Sequence, residues 1–198
     1  VRAFAERGVR YLTLYAFSTE NWNRPPAEVR SLMRILAYAI GKEVDALHAN
    51  NVRLLHIGEL SALSKPLQKQ VVNAIERTKA NDGITLVLAF NYGGRAELVR
   101  AVREIVASGV EPGEVDDALV ANYLYTAGIP DPDLVIRTAG EMRLSNFLVW
   151  QAAYAEYYAT TACWPEFDAA EVGRALDAYA GRKRRYGGLL TDEQQHLV

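Results

Sequence analysis

The sequence predicts an α/β fold with a mostly parallel central sheet wrapped by helices, and three observations carry that expectation. Apolar or β-branched runs at residues 12–17, 52–57, 84–90 and 134–136 have the length of strands, and their lack of alternation suits burial on both faces. Amphipathic helical segments separate them. A strand–helix–strand order calls for crossover connections, which place successive strands parallel. Composition sets the outer limits: 198 residues, 50% hydrophobic and 23% charged, fit one domain over residues 1–198 and exclude a disordered, collagenous or membrane-embedded chain. The balance of 22 Lys+Arg against 24 Asp+Glu gives a net charge of -2, so nothing in it argues for nucleic acid. Any polyanion site must be local.

Taken in order, residues 1–8 (VRAFAERG) read as helix and run directly into the first strand. A parallel α/β fold seldom begins that way, so a strand and loop are expected to precede Val1. Pro25 and Pro26 open a long helix with Val29, Leu32, Met33, Leu36, Ile40, Val44 and Leu47 on one face, and Asn50-Asn51 close it. A helix after Pro66 carries Leu67, Val71 and Ile75 on one face. Gly93-Gly94 then turn the third strand into a helix carrying Leu98, Val102, Ile105 and Val106. The fourth strand ends at Arg137, and Ser145 is placed to cap a helix through Phe147 and Trp150. A last helix is expected from about Asp168 to the basic run Arg182-Lys183-Arg184-Arg185. No segment approaches the roughly 20 apolar residues that span a bilayer, so membrane contact would be peripheral. The single cysteine, Cys163, excludes an intramolecular disulfide, fits the cytoplasm and reads as core. His48, His56 and His196 are too scattered to form a zinc set.

Ligands of parallel sheets bind beyond the carboxyl ends of the strands, and three strand ends run into polar sequence. Ser18, Thr19, Glu20, Asn21, Trp22, Asn23 and Arg24 follow the first strand. Capping the next helix needs one such residue, not seven. After the fourth strand, Arg137 and Arg143 flank a turn that leads to Ser145. Two guanidiniums, a hydroxyl and free helix N-terminal amides would make a diphosphate receptor. The competing reading pairs Arg137 with Glu141 and leaves Arg143 solvated. In AFNYGGR, residues 89–95, the glycines could cradle a phosphate, but Gly-Gly here is more often simple turn geometry. No GxGxxG or Walker loop points to a dinucleotide or nucleoside triphosphate. Glu156, amid AAYAEYY, is a carboxylate that is costly there unless paired, metal-bound or exposed.

Four segments, LTLYAFSTENWNRP, NYGGRAELV, PDLVIRTAGEMRLSNFLVWQAAYAEYY and WPEF followed by RRYGG, resemble in order the signatures of the cis-prenyltransferases. The resemblance covers nearly the whole chain. It implies a homodimer whose sheet opens into a hydrophobic tunnel, and stepwise addition of isopentenyl diphosphate to an allylic diphosphate such as farnesyl diphosphate, with Mg²⁺ and Z double bonds. It places Ser18, Thr19, Glu20, Trp22 and Arg24 on the allylic substrate and Asn21 at the position usually labelled proton acceptor. An amide oxygen is a feeble base, so Asn21 is expected to orient the group that takes the proton. Arg137, Arg143, Leu144 and Ser145 match the isopentenyl diphosphate pocket, Glu156 a magnesium ligand, and Arg185 and Gly187 an Arg-x-Gly element that crosses the dimer. Met142 departs from the family's Gln or His. The family's Asp-Gly-Asn phosphate loop would precede Val1, and nothing in the 198 residues stands in for it.

Ala16 is the expected tunnel residue. If the first strand is buried on both faces, Tyr15 and Phe17 share one side and Ala16 takes the other, where a small side chain leaves room for a growing chain. Ordinary packing against a helix is the competing reading. The resemblance then implies a long-chain lipid carrier for cell-wall synthesis as product. A short-chain synthase, a non-catalytic partner subunit and a phosphate-binding carrier remain alternatives.

Overall fold

The computed structural model describes residues 1–182. Its elements run α1 (Arg2–Glu6), β1 (Tyr11–Ser18), a 3-10 turn (Thr19–Asn23), α2 (Pro26–Ala49), β2 (Arg53–Ile57), α3 (Lys65–Thr78), β3 (Thr85–Tyr92) and α4 (Gly94–Ser108). They continue with α5 (Asp117–Tyr123), β4 (Leu134–Arg137), β5 (Glu156–Ala159) and α6 (Ala169–Ala180). Every strand pairing is parallel, as expected, but the described residues form two ladders: β1-β3-β2 and β4-β5. The residues gather into two compact units, one of 1–130 with 145–150, the other of 131–144 with 151 onward.

In the first unit β3 lies between β1 and β2 and is buried along almost its whole length, so the apolar run predicts it well. β1 is an edge strand in which Phe17 alone is buried. Pro26 begins α2, whose Val29 and Leu36 pack with Leu63, with Leu67 and Val71 of α3, and with Phe17 and Phe90 of the sheet. The buried Thr78 ends α3, donating to Ala74 O and accepting Leu54 N–H, both at 3.0 Å, which ties the helix to β2. At the far end of β3, Tyr92 donates 2.5 Å to the buried Glu97 of α4, and Glu97 also accepts Tyr125 N–H at 2.8 Å. These bonds make burial of the carboxylate tolerable. Burial, then Glu97, pushes the Tyr92 hydroxyl well above its ordinary pKa.

In the second unit Asp168 caps α6 by accepting Ala170 and Glu171 N–H at 2.9 Å. The helix stops at Ala180, short of the predicted basic end. Three further expectations fail. Residues 145–150 are turns rather than a helix, followed by a 3-10 turn at Gln151–Tyr154. Ser145, Asn146 and Leu148 have φ of 54°, 61° and 46°, which no right-handed helix accommodates, so Ser145 opens no helix there. Cys163 is exposed rather than core; its N–H donates to Glu166 Oε2 at 3.1 Å in a short 3-10 turn. Among the described residues no helix is long and apolar enough to cross a membrane.

Candidate active site

The loop after β1 folds on itself. Asn21 Oδ1 accepts the Ser18 N–H at 2.9 Å, so its amide oxygen is already engaged. Trp22 Nε1 donates to Asn91 Oδ1 at 2.7 Å, and Asn91 Nδ2 donates to Glu59 O at the same distance. The Trp22 ring meets Phe17 edge-on, 5.3 Å between centroids. Arg24 reaches Glu28 at 2.7 Å, one turn along the chain. A groove of about 440 Å³ beside this loop is lined by Trp22, Val29, Arg30, Met33 and Arg34, an apolar wall with two guanidiniums.

Ladder partners on β1 and β3 run Tyr15–Ala89, Phe17–Phe90, Ser18–Tyr92, so Ala16 is an extra residue on β1 and, one pair further along, Asn91, at φ 49°, is an extra residue on β3. Ala89 and Phe90 are consecutive and face opposite ways, and so do Tyr15 and Phe17. Tyr15 stacks on Phe147 at 4.4 Å, whereas Phe17 stacks on Phe90 at 5.1 Å in the helix-covered core. The expected parity of residues 15–17 is therefore wrong. Ala16 is exposed, not buried in a two-faced strand.

Three segments distant in sequence meet in the first unit. Asn146 Nδ2 donates to Glu20 Oε1 at 2.6 Å, Arg95 N–H donates to Asn146 Oδ1 at 2.8 Å, and Gly94 N–H to Asn146 O at 2.8 Å. The Gly-Gly turn serves this approach: a Cβ at Gly93 would lie 2.4 Å from Thr19 Oγ1, and one at Gly94 2.6 Å from Val149 Cγ2. Two of the amides a phosphate would need there are occupied by Asn146. Desolvation pulls the Glu20 pKa up, but hydrogen bonds from its own N–H, Asn146, Ser18 and Thr19 prevail and hold it below the ordinary value. Sequence reasoning missed Asn91 and Asn146. The left-handed tolerance of asparagine was their only local signal.

In the second unit Arg137 and Arg143 converge on one carboxylate, Glu141: Arg137 Nη2 pairs with Oε2, and Arg143 Nη2 lies 2.5 Å from Oε1. The competing sequence reading holds for the Arg137–Glu141 pair, but Arg143, though two-thirds exposed, shares that acid with Arg137. The bond from Arg137, ahead of a small desolvation cost and the charge of Arg143, holds the Glu141 carboxyl below its ordinary pKa. Leu144 is half-buried and Met142 is exposed. Glu156 opens β5, a strand the sequence reading left unassigned, and Arg182 Nη1 lies 2.5 Å from its Oε2. Among the described residues no group of three His, Cys, Asp or Glu could hold a metal. One carboxylate already paired with an arginine falls short of the oxygen set that magnesium takes, so these residues do not by themselves fit a metal centre. Arg185, Gly187 and His196 lie outside the described residues.

The first unit thus carries polar loops at its strand ends beside an apolar groove, where parallel sheets bind their ligands, and the second carries two arginines on one carboxylate. The Prenyltransf family model, which describes undecaprenyl diphosphate synthases, matches residues 1–187. An isoprenyl transferase of Clostridium tetani is 48% identical over 186 residues, 92% of this chain and 73% of that protein. One from Rhizobium meliloti is 50% identical over 193 residues, 96% of this chain and 78% of its own. Among solved structures, lavandulyl diphosphate synthase from Lavandula x intermedia in complex with dimethylallyl diphosphate is 36% identical with a TM-score of 0.90, over 94% of this chain and 82% of that one. A probable undecaprenyl diphosphate synthase from Campylobacter jejuni is 32% identical with a TM-score of 0.87, over 94% and 87%. The chain belongs to the undecaprenyl diphosphate synthase family of prenyltransferases.

Proposed function

We propose that this prenyltransferase condenses isopentenyl diphosphate stepwise onto an allylic diphosphate such as farnesyl diphosphate, creating Z double bonds and ending in a long-chain lipid carrier for cell-wall synthesis. The observation that carries this reading is the convergence of Arg137 and Arg143 on Glu141. Two guanidiniums against one carboxylate leave a net positive charge, and a diphosphate can replace that carboxylate with more charge and more acceptors.

In each addition the allylic carbon–oxygen bond breaks, the alkene of isopentenyl diphosphate forms the new carbon–carbon bond, and one proton leaves the added unit. Ser18, Thr19, Glu20, Trp22 and Arg24 would border the allylic diphosphate. Arg137, Arg143, Leu144 and Ser145 would hold the second diphosphate so that its alkene faces the developing cation; positioning of this kind accounts for most of the rate. Asn21, its oxygen bonded to Ser18 N–H, suits orienting the base rather than serving as one. We also propose that the reaction needs Mg²⁺, for which Glu156 would be one oxygen ligand and would need others beside it. The working form would be a cytoplasmic homodimer that meets the membrane only peripherally. Ala16, small and exposed at the bulge, would border the path of the growing chain.

Separate titrations of Arg143→Ala with each diphosphate test the assignment. A charged hydrogen bond contributes about 1.5–3 kcal/mol, so affinity for isopentenyl diphosphate should fall about 10- to 150-fold while that for the allylic diphosphate stays within about twofold. Equal losses for both would show that the two pockets are wrongly assigned.

A further inference from the structure

Asn146 spends each of its side-chain polar atoms on joining segments that lie far apart in sequence. Nδ2 donates to Glu20 Oε1 at 2.6 Å, across 126 positions, and Oδ1 accepts Arg95 N–H at 2.8 Å, across 51. Its main-chain oxygen accepts Gly94 N–H at 2.8 Å. The first turn of α4, a place that ordinarily attracts an anion, is thereby closed by a neutral amide.

The turn around Asn146 is also conformationally expensive. Ser145 at φ 54° and Leu148 at φ 46° occupy a left-handed region that asparagine tolerates and they do not. Such a turn persists only where its surroundings over-determine it. Here the surroundings are the Glu20 and Arg95 bonds and the stacking of Phe147 on Tyr15 at 4.4 Å. No slack exists for an alternative approach, since a Cβ at Gly93 would stand 3.1 Å from Asn146 Nδ2.

We propose that Asn146 is a positioning residue that couples the two substrate segments, fixing Ser145 in register with the Ser18–Arg24 loop. This rests on the function proposed above, which gives Ser145 to isopentenyl diphosphate and Glu20 to the allylic diphosphate. An allylic diphosphate bound by the loop would hold Glu20 against the Asn146 amide, and the amide holds the left-handed turn that presents Ser145. Binding of either diphosphate therefore raises the affinity for the other by one common factor.

The test measures that factor by calorimetry. Isopentenyl diphosphate is titrated with and without a farnesyl thiodiphosphate that does not ionise, using the wild type, Asn146→Asp and Asn146→Gly. Asp keeps the left-handed preference and the acceptor for Arg95 but loses the donor to Glu20, while Gly keeps only the backbone freedom. The wild type should show coupling of about fivefold or more, within the usual range for linked sites, and both variants should bring it to within about twofold of unity. A variant that is merely less stable would lower Tm without changing the factor. Wild-type coupling retained in Asn146→Asp, or absent from a wild type that binds both diphosphates, overturns the proposal. A wild type that binds neither diphosphate overturns the proposed function, and this inference with it.

Discussion

The carboxylate of Glu156 sits 2.5 Å from Arg182 Nη1, and the second guanidinium nitrogen donates to Tyr157 O at 2.7 Å, so the charge a cation would need is already engaged. If magnesium draws on this carboxylate, it does so against Arg182, and the two residues should move the metal requirement in opposite directions. Glu156→Gln should raise the Mg²⁺ concentration for half-maximal rate by about tenfold or more, the scale on which partners of a metal site act. Arg182→Ala should lower it. Rate measured against free Mg²⁺ decides, and an unmoved midpoint in both variants would make the pair purely structural. The carboxylate was legible in the sequence as a charge amid aromatic residues. Its partner was not, because 26 positions separate the two and the sequence placed Arg182 inside a helix that stops at Ala180.

At the scale of elements, the bulge in β1 decides how the substrate loop is carried. Ala16 is an extra residue on β1, Asn91, at φ 49°, is an extra residue on β3 one pair further along, and Asn91 accepts from Trp22 and donates to Glu59 O. Removing this buried amide orphans both partners, so Asn91→Gly should cost about 1–3 kcal/mol of stability. Asn91→Ala should be worse, because the left-handed backbone costs alanine about 1–2 kcal/mol while glycine adds only about 0.5–1 kcal/mol of unfolded-state entropy. Urea unfolding of both variants checks the order; a more stable Ala variant would show that the bulge does not require that backbone. Strand β3 and the Pro-led start of α2 were readable because central burial and proline geometry are local signals. The bulge was not, since one inserted residue reverses side-chain parity without altering the apolar pattern. Residues 145–150 failed as a helix for a related reason: Ser and Leu in left-handed conformations leave no mark on composition or spacing.

For the whole molecule, bulk charge and hydropathy said only that the chain is an ordinary globular protein with any anion site confined to loops. In the structure, polar bonding is likewise local, with two arginines on Glu141 in one unit and Asn146 joining three segments in the other. Chromatography of the products formed from radiolabelled isopentenyl diphosphate, farnesyl diphosphate and Mg²⁺ tests the proposed reaction most directly. The wild type should give a ladder of Z-extended diphosphates that ends in long chains, and Ala16→Leu should stop earlier. No labelled product longer than the primer, or one carrying only E double bonds, would contradict it.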